Sequence, residues 1–179
     1  MDRAAQGDHD AFAVLVRGSI ARLDAAARLI LRDPELARDA VQNALVRAWR
    51  DLPGLRDPDR FDAWLHRLLV NSCLDEARRR RRRPFEVEIK EIDEPAGGDS
   101  SRHLADRDLV ERALVRLEPE HRALVVLHYY LGYPLPEAAT LVGISLPAAK
   151  SRLHRAMQGL RRSMVDTAAV PEFEGGRPA

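Results

Sequence analysis

From residue 12 to residue 31, apolar side chains fall at Phe12, Leu15, Val16, Ile20, Leu23, Ala27, Ile30 and Leu31, the three-four spacing of one amphipathic helix. Asp33-Pro34 ends that pattern and opens the next. An Asp there can accept from free backbone N–H groups, and a Pro loses nothing at the first helical position. The second helix buries Leu36, Ala40, Val41, Ala44, Leu45, Ala48 and Trp49, and turns Arg38, Asp39, Gln42, Asn43 and Arg47 outward. "LPGLRDPDR" (52–60), with two prolines and a glycine, reads as a loop. A third helix starts near Phe61, buries Phe61, Trp64, Leu65, Leu68 and Leu69, and runs into six consecutive arginines, Arg78 to Arg83. Residues 1–83 therefore predict one helical bundle.

The pattern then lapses. Between Pro84 and Asp108, eight acids (Glu86, Glu88, Glu91, Asp93, Glu94, Asp99, Asp106, Asp108) oppose Lys90, Arg102 and Arg107, around Pro95-Ala96-Gly97-Gly98. Low hydrophobicity, one-sided charge and a Gly pair predict a flexible acidic linker. Helical spacing resumes near Leu109: Val110, Ala113, Leu114 and Leu117 line one helix. Pro119 opens another, with Ala123, Leu124, Val126, Leu127 and Tyr130 inward. A short helix (136–142) then reaches Gly143, and Ser145 can cap a final helix. Helix, glycine turn, helix is the helix-turn-helix pattern. The expected architecture is all-α, with two small helical domains (1–83 and 109–166) joined by the linker (84–108) and followed by a frayed tail (167–179).

Composition narrows the function classes. The 179 residues carry 29 bases and 28 acids, formal net charge +1. A single cysteine, Cys73, excludes an internal disulfide and fits a reducing compartment. Asp2, Asp8 and Asp10 interrupt any signal-peptide core, and no apolar run approaches the roughly 18 residues of a membrane span. A cytoplasmic protein without membrane insertion is expected. His9, His66, His103, His121, His128 and His154 are scattered, with no metal-ligand spacing, no P-loop and no dinucleotide fingerprint. No metal, cofactor or catalytic role is expected, and Cys73 reads as a packed side chain.

Charge is concentrated where it would meet DNA. From Ala148 to Arg162 there are five bases (Lys150, Arg152, Arg155, Arg161, Arg162), His154 and no acid. The second helix of a helix-turn-helix lies in the major groove, and its N-terminal residues reach base edges. Here those are Ala148, Lys150, Ser151, His154 and Arg155; Arg152, Arg161 and Arg162 suit phosphates. A glycine between helices is also an ordinary bundle corner, and an arginine run also serves as a localisation signal or non-specific patch. Two basic segments on separate domains, with an acidic strap between, favour nucleic acid at both.

These residues resemble the extracytoplasmic-function group of bacterial sigma factors, small members of the sigma-70 family. "DPELARDAVQNALVRAW" (33–49) looks like the core-polymerase-binding helix of region 2. "RFDAWLHRLLVNSCLDEARRRRR" (60–82) resembles the −10-reading segment, usually F-x-x-W-L-x-x-I-x-x-N-x-x-x-D-x-x-R-R. The stretch 117–161, down to "KSRLHRA", resembles region 4. The resemblance implies a promoter-specificity subunit that binds core RNA polymerase, at the β′ clamp through Arg38, Asp39, Gln42, Asn43 and Arg47 and at the β flap. It implies −10 contacts from Arg56, Arg60, Trp64, Asn71, Asp75, Arg78, Arg79 and Arg80. The −35 contacts would come from Ala148, Lys150, Ser151, Arg152, His154 and Arg155. It further implies an anti-sigma factor as partner. The acidic linker would thread the polymerase channel or fold back over the basic surfaces. Two departures stand out: Ala148-Ala149 replace a common Thr-Val pair, removing a hydroxyl, and Pro134 stands where a Ser usually caps a helix. The rival reading is a helix-turn-helix regulator that binds DNA alone, which leaves the polar face of the second helix and the arginine run without a role.

Overall fold

The computed structural model describes residues 1–82, 114 and 117–168. The segment expected to be an acidic linker (84–108), the positions Val110 and Ala113, and residues 169–179 lie outside the described residues. Among the described residues the protein is all-α, with no strand. Its helices are α1 (Asp2–Ala5), α2 (His9–Arg17), α3 (Ile20–Leu31), α4 (Pro34–Asp51), α5 (Phe61–Arg82), α6 (Pro119–Val125), α7 (Leu135–Val142) and α8 (Leu146–Ala168).

The helix expected from residue 12 to residue 31 is two helices. Gly18 ends α2 and Ser19 precedes α3. Both residues hold helix poorly, and Gly/Ser pairs are a standard place for a helix to bend. The apolar stripe survives the break because both halves face the same core. Asp8 caps α2, accepting from the Ala11 amide at 3.0 Å while Arg3 grips its carboxylate at 2.7 Å. Asp33 caps α4 as the sequence predicts, its Oδ1 accepting from the amides of Glu35 (3.0 Å) and Leu36 (3.1 Å), with Pro34 at the first helical position.

Residues of α4 that face the core are small. Ala37, Ala40, Ala44 and Ala48 are fully buried, so α4 lies close against α3 and α5. Leu23, Ala27 and Ile30 of α3 and Leu65, Leu69 and Cys73 of α5 fill the space between them. Truncating one such Leu to Ala removes its transfer free energy and leaves a cavity, about 2–5 kcal/mol. Leu36, Leu45, Trp49, Trp64 and Leu68, expected as buried, are half-buried at the margin. Trp49 instead stacks on His9 with ring centroids 4.3 Å apart, and Phe12 meets it edge-on.

In the C-terminal half, α6 passes into a π turn over Val126–Tyr130, where the Leu131 amide donates back to the Val126 carbonyl at 2.9 Å. The wider turn inserts one residue into the register. Tyr130, expected inward, is consequently 45% exposed, and Leu131 takes the buried place. Between α7 and α8, Gly143 adopts φ 76°, its amide donating to Thr140 and that of Ile144 to Ala139. This paired bonding closes a helix with a left-handed residue, which glycine adopts without the Cβ penalty. Ser145 Oγ then accepts from the Ala148 amide at 3.4 Å, opening α8.

The two halves pack on each other. Leu124, Leu127, Ala138 and Ala139 join the buried cluster of α3–α5, with α7 against α5 and α6 against α3. Polar links cross this junction: Arg22 donates to the Leu131 carbonyl at 3.1 Å, His66 Nδ1 lies 2.7 Å from the Tyr133 hydroxyl, and Arg81 pairs with Glu118.

Candidate nucleic-acid interface

At 100° per residue, α5 divides into distinct faces. His66, Val70, Cys73 and Ala77 share one, and His66 and Ala77 meet the C-terminal half. Trp64, Asn71, Asp75 and Arg78 share the opposite one. The packed arrangement of the halves therefore leaves the sequence-predicted −10 stripe uncovered. Trp64 and Asn71 are half-buried there, with Trp64 tilted against Phe61 at 6.0 Å.

Asp75 is not a free carboxylate. Arg47 of α4 donates to its Oδ2 at 3.2 Å, and Arg78 approaches its Oδ1 at 3.5 Å. Next to it, Glu76 accepts from Asn43 (3.2 Å) and Arg79 (2.8 Å). Further along, Arg80 reaches Asp33 at 3.1 Å. The start of the arginine run is thus aimed by acids, each arm held at a defined place on the surface. All three of these arginines remain exposed, which a phosphate-binding surface requires. Arg56 and Arg60 are exposed on the loop before α5, with Arg60 paired to Asp57 at 3.2 Å.

On α4 the five predicted polar residues separate. Arg38, Asp39 and Gln42 are exposed, whereas Asn43 and Arg47 lean toward α5 through the bonds just described. The exposed set continues into an apolar groove of about 840 Å³ between α2, α3 and α4, lined by His9, Ile20, Val46 and Trp49 beside Arg38 and Gln42. Val46 is 59% exposed, a large apolar side chain in open solvent. Sequence reasoning passed over it, although its place four residues beyond Gln42, off the buried stripe, marks it as an apolar residue on a polar face.

The residues of α8 expected to meet the −35 element are mostly at the surface. Lys150, Ser151, His154 and Arg155 are exposed along one side of α8, while Ala149 and Ala156 are buried beneath. Ala148 and Arg152 are half-buried. Gln158 Nε2 lies 2.9 Å from His154 Nε2, orienting the imidazole from the following turn. His121 of α6 lies under this surface; burial pushes its pKa down, and the charges of Arg152 and Arg155 push it further. The site is an array of guanidinium, ammonium and hydroxyl donors without an acid among them, suited to phosphates and to guanine O6 and N7. No group of His, Cys, Asp and Glu among the described residues could hold a metal, and no described helix is long and apolar enough to cross a membrane. Burial pushes the Cys73 thiol up to about 12, which leaves it unreactive.

The sigma-70 region 2 family model matches residues 15–83, and the sigma-70 region 4 model matches residues 107–160. The ECF RNA polymerase sigma factor SigM of Mycobacterium tuberculosis is 36% identical over 156 residues, 87% of this chain and 78% of that protein. The RNA polymerase sigma-E factor of Streptomyces antibioticus is 33% identical, over 89% of this chain and 88% of its own length. Among solved structures, CnrH, in complex with the cytosolic domain of CnrY, is 31% identical with a TM-score of 0.64, covering 94% of this chain and 96% of that one. Bartonella quintana RpoE, in complex with the anti-sigma factor NepR, shares the fold at a TM-score of 0.70 and 23% identity, over 86% of this chain and 96% of its own.

Proposed function

The chain belongs to the extracytoplasmic-function group of the sigma-70 family, and from that premise we propose how its residues direct core RNA polymerase to a promoter. Residues 1–83 act as region 2 and residues 109–166 as region 4, with 84–108 the strap between them. Arg38, Asp39 and Gln42, with Val46 and the groove behind them, dock on the β′ clamp. Asn43 and Arg47 transmit that contact to Glu76 and Asp75 on the DNA-facing helix. Arg56 and Arg60 flank a base drawn out of the −10 element, and Trp64 and Asn71 line its surroundings. Extruding a base costs a few kcal/mol, which pocket contacts must offset. Arg78, Arg79 and Arg80 hold the phosphates. Lys150, Ser151, His154 and Arg155 enter the major groove at the −35 element, with Arg152 on the backbone and region 4 resting on the β flap.

The observation that carries this reading is the acid-free, exposed face of α8 set behind a glycine-closed turn, in one chain with a polar, groove-backed α4. Such a protein works in the cytoplasm, on the nucleoid when active, without chemistry of its own. Its surfaces are held back by an anti-sigma factor, as CnrH is bound by the cytosolic domain of CnrY. Run-off transcription on sheared genomic DNA tests the reading. Purified core polymerase with the protein should give discrete transcripts that vanish without it. Stable operator binding by the free protein, with no gain of initiation and no co-elution with polymerase, would replace it with a stand-alone regulator.

A further inference from the structure

Arg122 is the one buried guanidinium in the described structure. It is only 8% exposed, yet its Nε has no hydrogen-bond partner. An unpaired charge in such a place is costly, several kcal/mol per ion even after relaxation. Burial, reinforced by Arg32 and opposed by Glu120, brings its pKa down to about 10. It is therefore still a cation at neutral pH, with the charge of Glu120 acting on it but nothing bonded to its Nε.

Arg122 faces a cleft of about 230 Å³ at the junction of the two halves. Leu31 and Leu36, at the corner between α3 and α4, form its apolar wall, and Arg80 and Arg81 of α5 line it opposite α6. Asp33 holds Arg80 at 3.1 Å and Glu118 holds Arg81, so two guanidinium groups are fixed in place at the rim. Neither carboxylate lines the cleft, and neither answers Arg122. Three arginines thus converge on a space below the roughly 300 Å³ at which pockets for drug-sized ligands begin. Guanidinium forks match tetrahedral oxyanions bidentately.

We infer that this cleft is a binding site for a small phosphate-type oxyanion, inorganic phosphate or diphosphate, held by Arg122 from α6 and by Arg80 and Arg81 from α5. Its ligands come from both halves of the chain, so an anion bound there ties the halves together. Occupancy stabilises the packed arrangement, and loss of the anion loosens it. The cleft lies on the face of α5 opposite Trp64, Asn71, Asp75 and Arg78, because Ala77 and Arg122 meet there, and it shares only Arg80 with the proposed −10 phosphate contacts.

Thermal unfolding of the full chain tests this, in chloride buffers and in phosphate or diphosphate buffers of equal ionic strength. The melting temperature should rise saturably with diphosphate and phosphate. Arg122→Met should abolish the rise while folding at least as well, since it removes a buried unpaired charge. Arg81→Gln, a change at the exposed rim, should shift the half-saturating concentration several-fold upward without altering the fold. No saturable rise, or the same rise in Arg122→Met, overturns the site. If the rise appears only when Glu86 and Glu88 are both replaced by Gln, the cleft belongs to the chain's own acidic segment and the free-anion assignment fails. If phosphate has no effect but Arg122→Met reduces the salt slope of promoter binding by about 0.9, the phosphate is one of the DNA backbone and the assignment fails equally.

Discussion

His66 Nδ1 and the Tyr133 hydroxyl lie 2.7 Å apart across the junction of the two halves, 67 residues distant in sequence. Their rings meet edge-on with centroids 5.6 Å apart. His66 is only 6% exposed, so Tyr133 satisfies a polar atom that water does not reach. Tyr133→Phe keeps the ring contact and deletes the hydroxyl. It should cost about 1–3 kcal/mol, the penalty of a buried group left without its partner. Urea unfolding at neutral pH measures it, and a change below about 0.5 kcal/mol would show that the link contributes nothing.

The same pair gives the stability a pH dependence. Burial lowers the His66 pKa, Arg22 lowers it further, and Asp62 opposes both. Burial pushes the Tyr133 hydroxyl up, Asp62 and Glu137 add to that against Arg22, and it stays neutral. An unfolded histidine takes its proton near pH 6.5, whereas folded His66 takes it only at lower pH. The unfolded chain therefore binds more protons below about 6.5, and stability falls as pH drops from there toward the folded value. The urea midpoint should be lower at pH 5.5 than at 7.5, and His66→Gln should remove part of that difference. His121, lowered by burial and by Arg152 and Arg155, supplies part of the remainder. An unchanged pH profile in His66→Gln would dismiss the coupling.

The signals that the sequence carried plainly are those whose physics is local. Asp33-Pro34, Gly143 and Ser145 announce helix ends within three or four residues, and each sits at the end it announces. The Gly18-Ser19 break was hidden because an apolar stripe can run unbroken across a bend. Tyr130, expected inward, gave way to Leu131 because a single residue inserted by a π turn moves everything beyond it, and no local residue marks that insertion. Links such as Arg22 to Leu131, 109 residues apart, depend on which faces of the two halves meet. At the candidate site, residue type was legible but pairing was not: Asp75 is expected on the −10 reading surface, and nothing in the sequence shows that Arg47 and Arg78 reach its carboxylate.

That distinction separates two kinds of substitution on α4. Gln42 and Val46 are exposed, Val46 to 59%, beside the apolar groove. Val46→Asp should weaken core-polymerase binding at least tenfold, read by co-elution or fluorescence titration, with the melting temperature within a degree or two of wild type. Arg47→Ala should act differently. It frees Asp75, so promoter opening should suffer more than polymerase binding. Equal losses in both assays for Arg47→Ala would assign it to docking alone.

Cys73 is fully buried, and burial raises its thiol to about 12. The thiolate is the reacting species, so a disulfide reagent at pH 8 should modify the folded protein only through unfolding. The rate should rise with urea in step with the unfolded fraction. Rapid labelling in the absence of denaturant would show that α5 opens locally beneath the junction.

On α8 the exposed donors should divide by role. In the proposed docking, Arg155 and Lys150, both exposed, reach base edges, and Arg152, half-buried near His121, contacts the backbone. Arg155→Ala should cost about 1–3 kcal/mol at the preferred −35 sequence and relax the preference at one position. Arg152→Ala should weaken binding to all sequences alike and reduce the salt slope by about 0.9. Gln158→Ala releases His154 from its 2.9 Å contact and should blur specificity with little loss of overall affinity. Polymerase–sigma complexes binding a set of single-base −35 variants at two salt concentrations give all three readouts. Uniform losses from Arg155→Ala, with a reduced salt slope, would move that residue from the bases to the phosphates and leave Lys150 and His154 to carry the sequence.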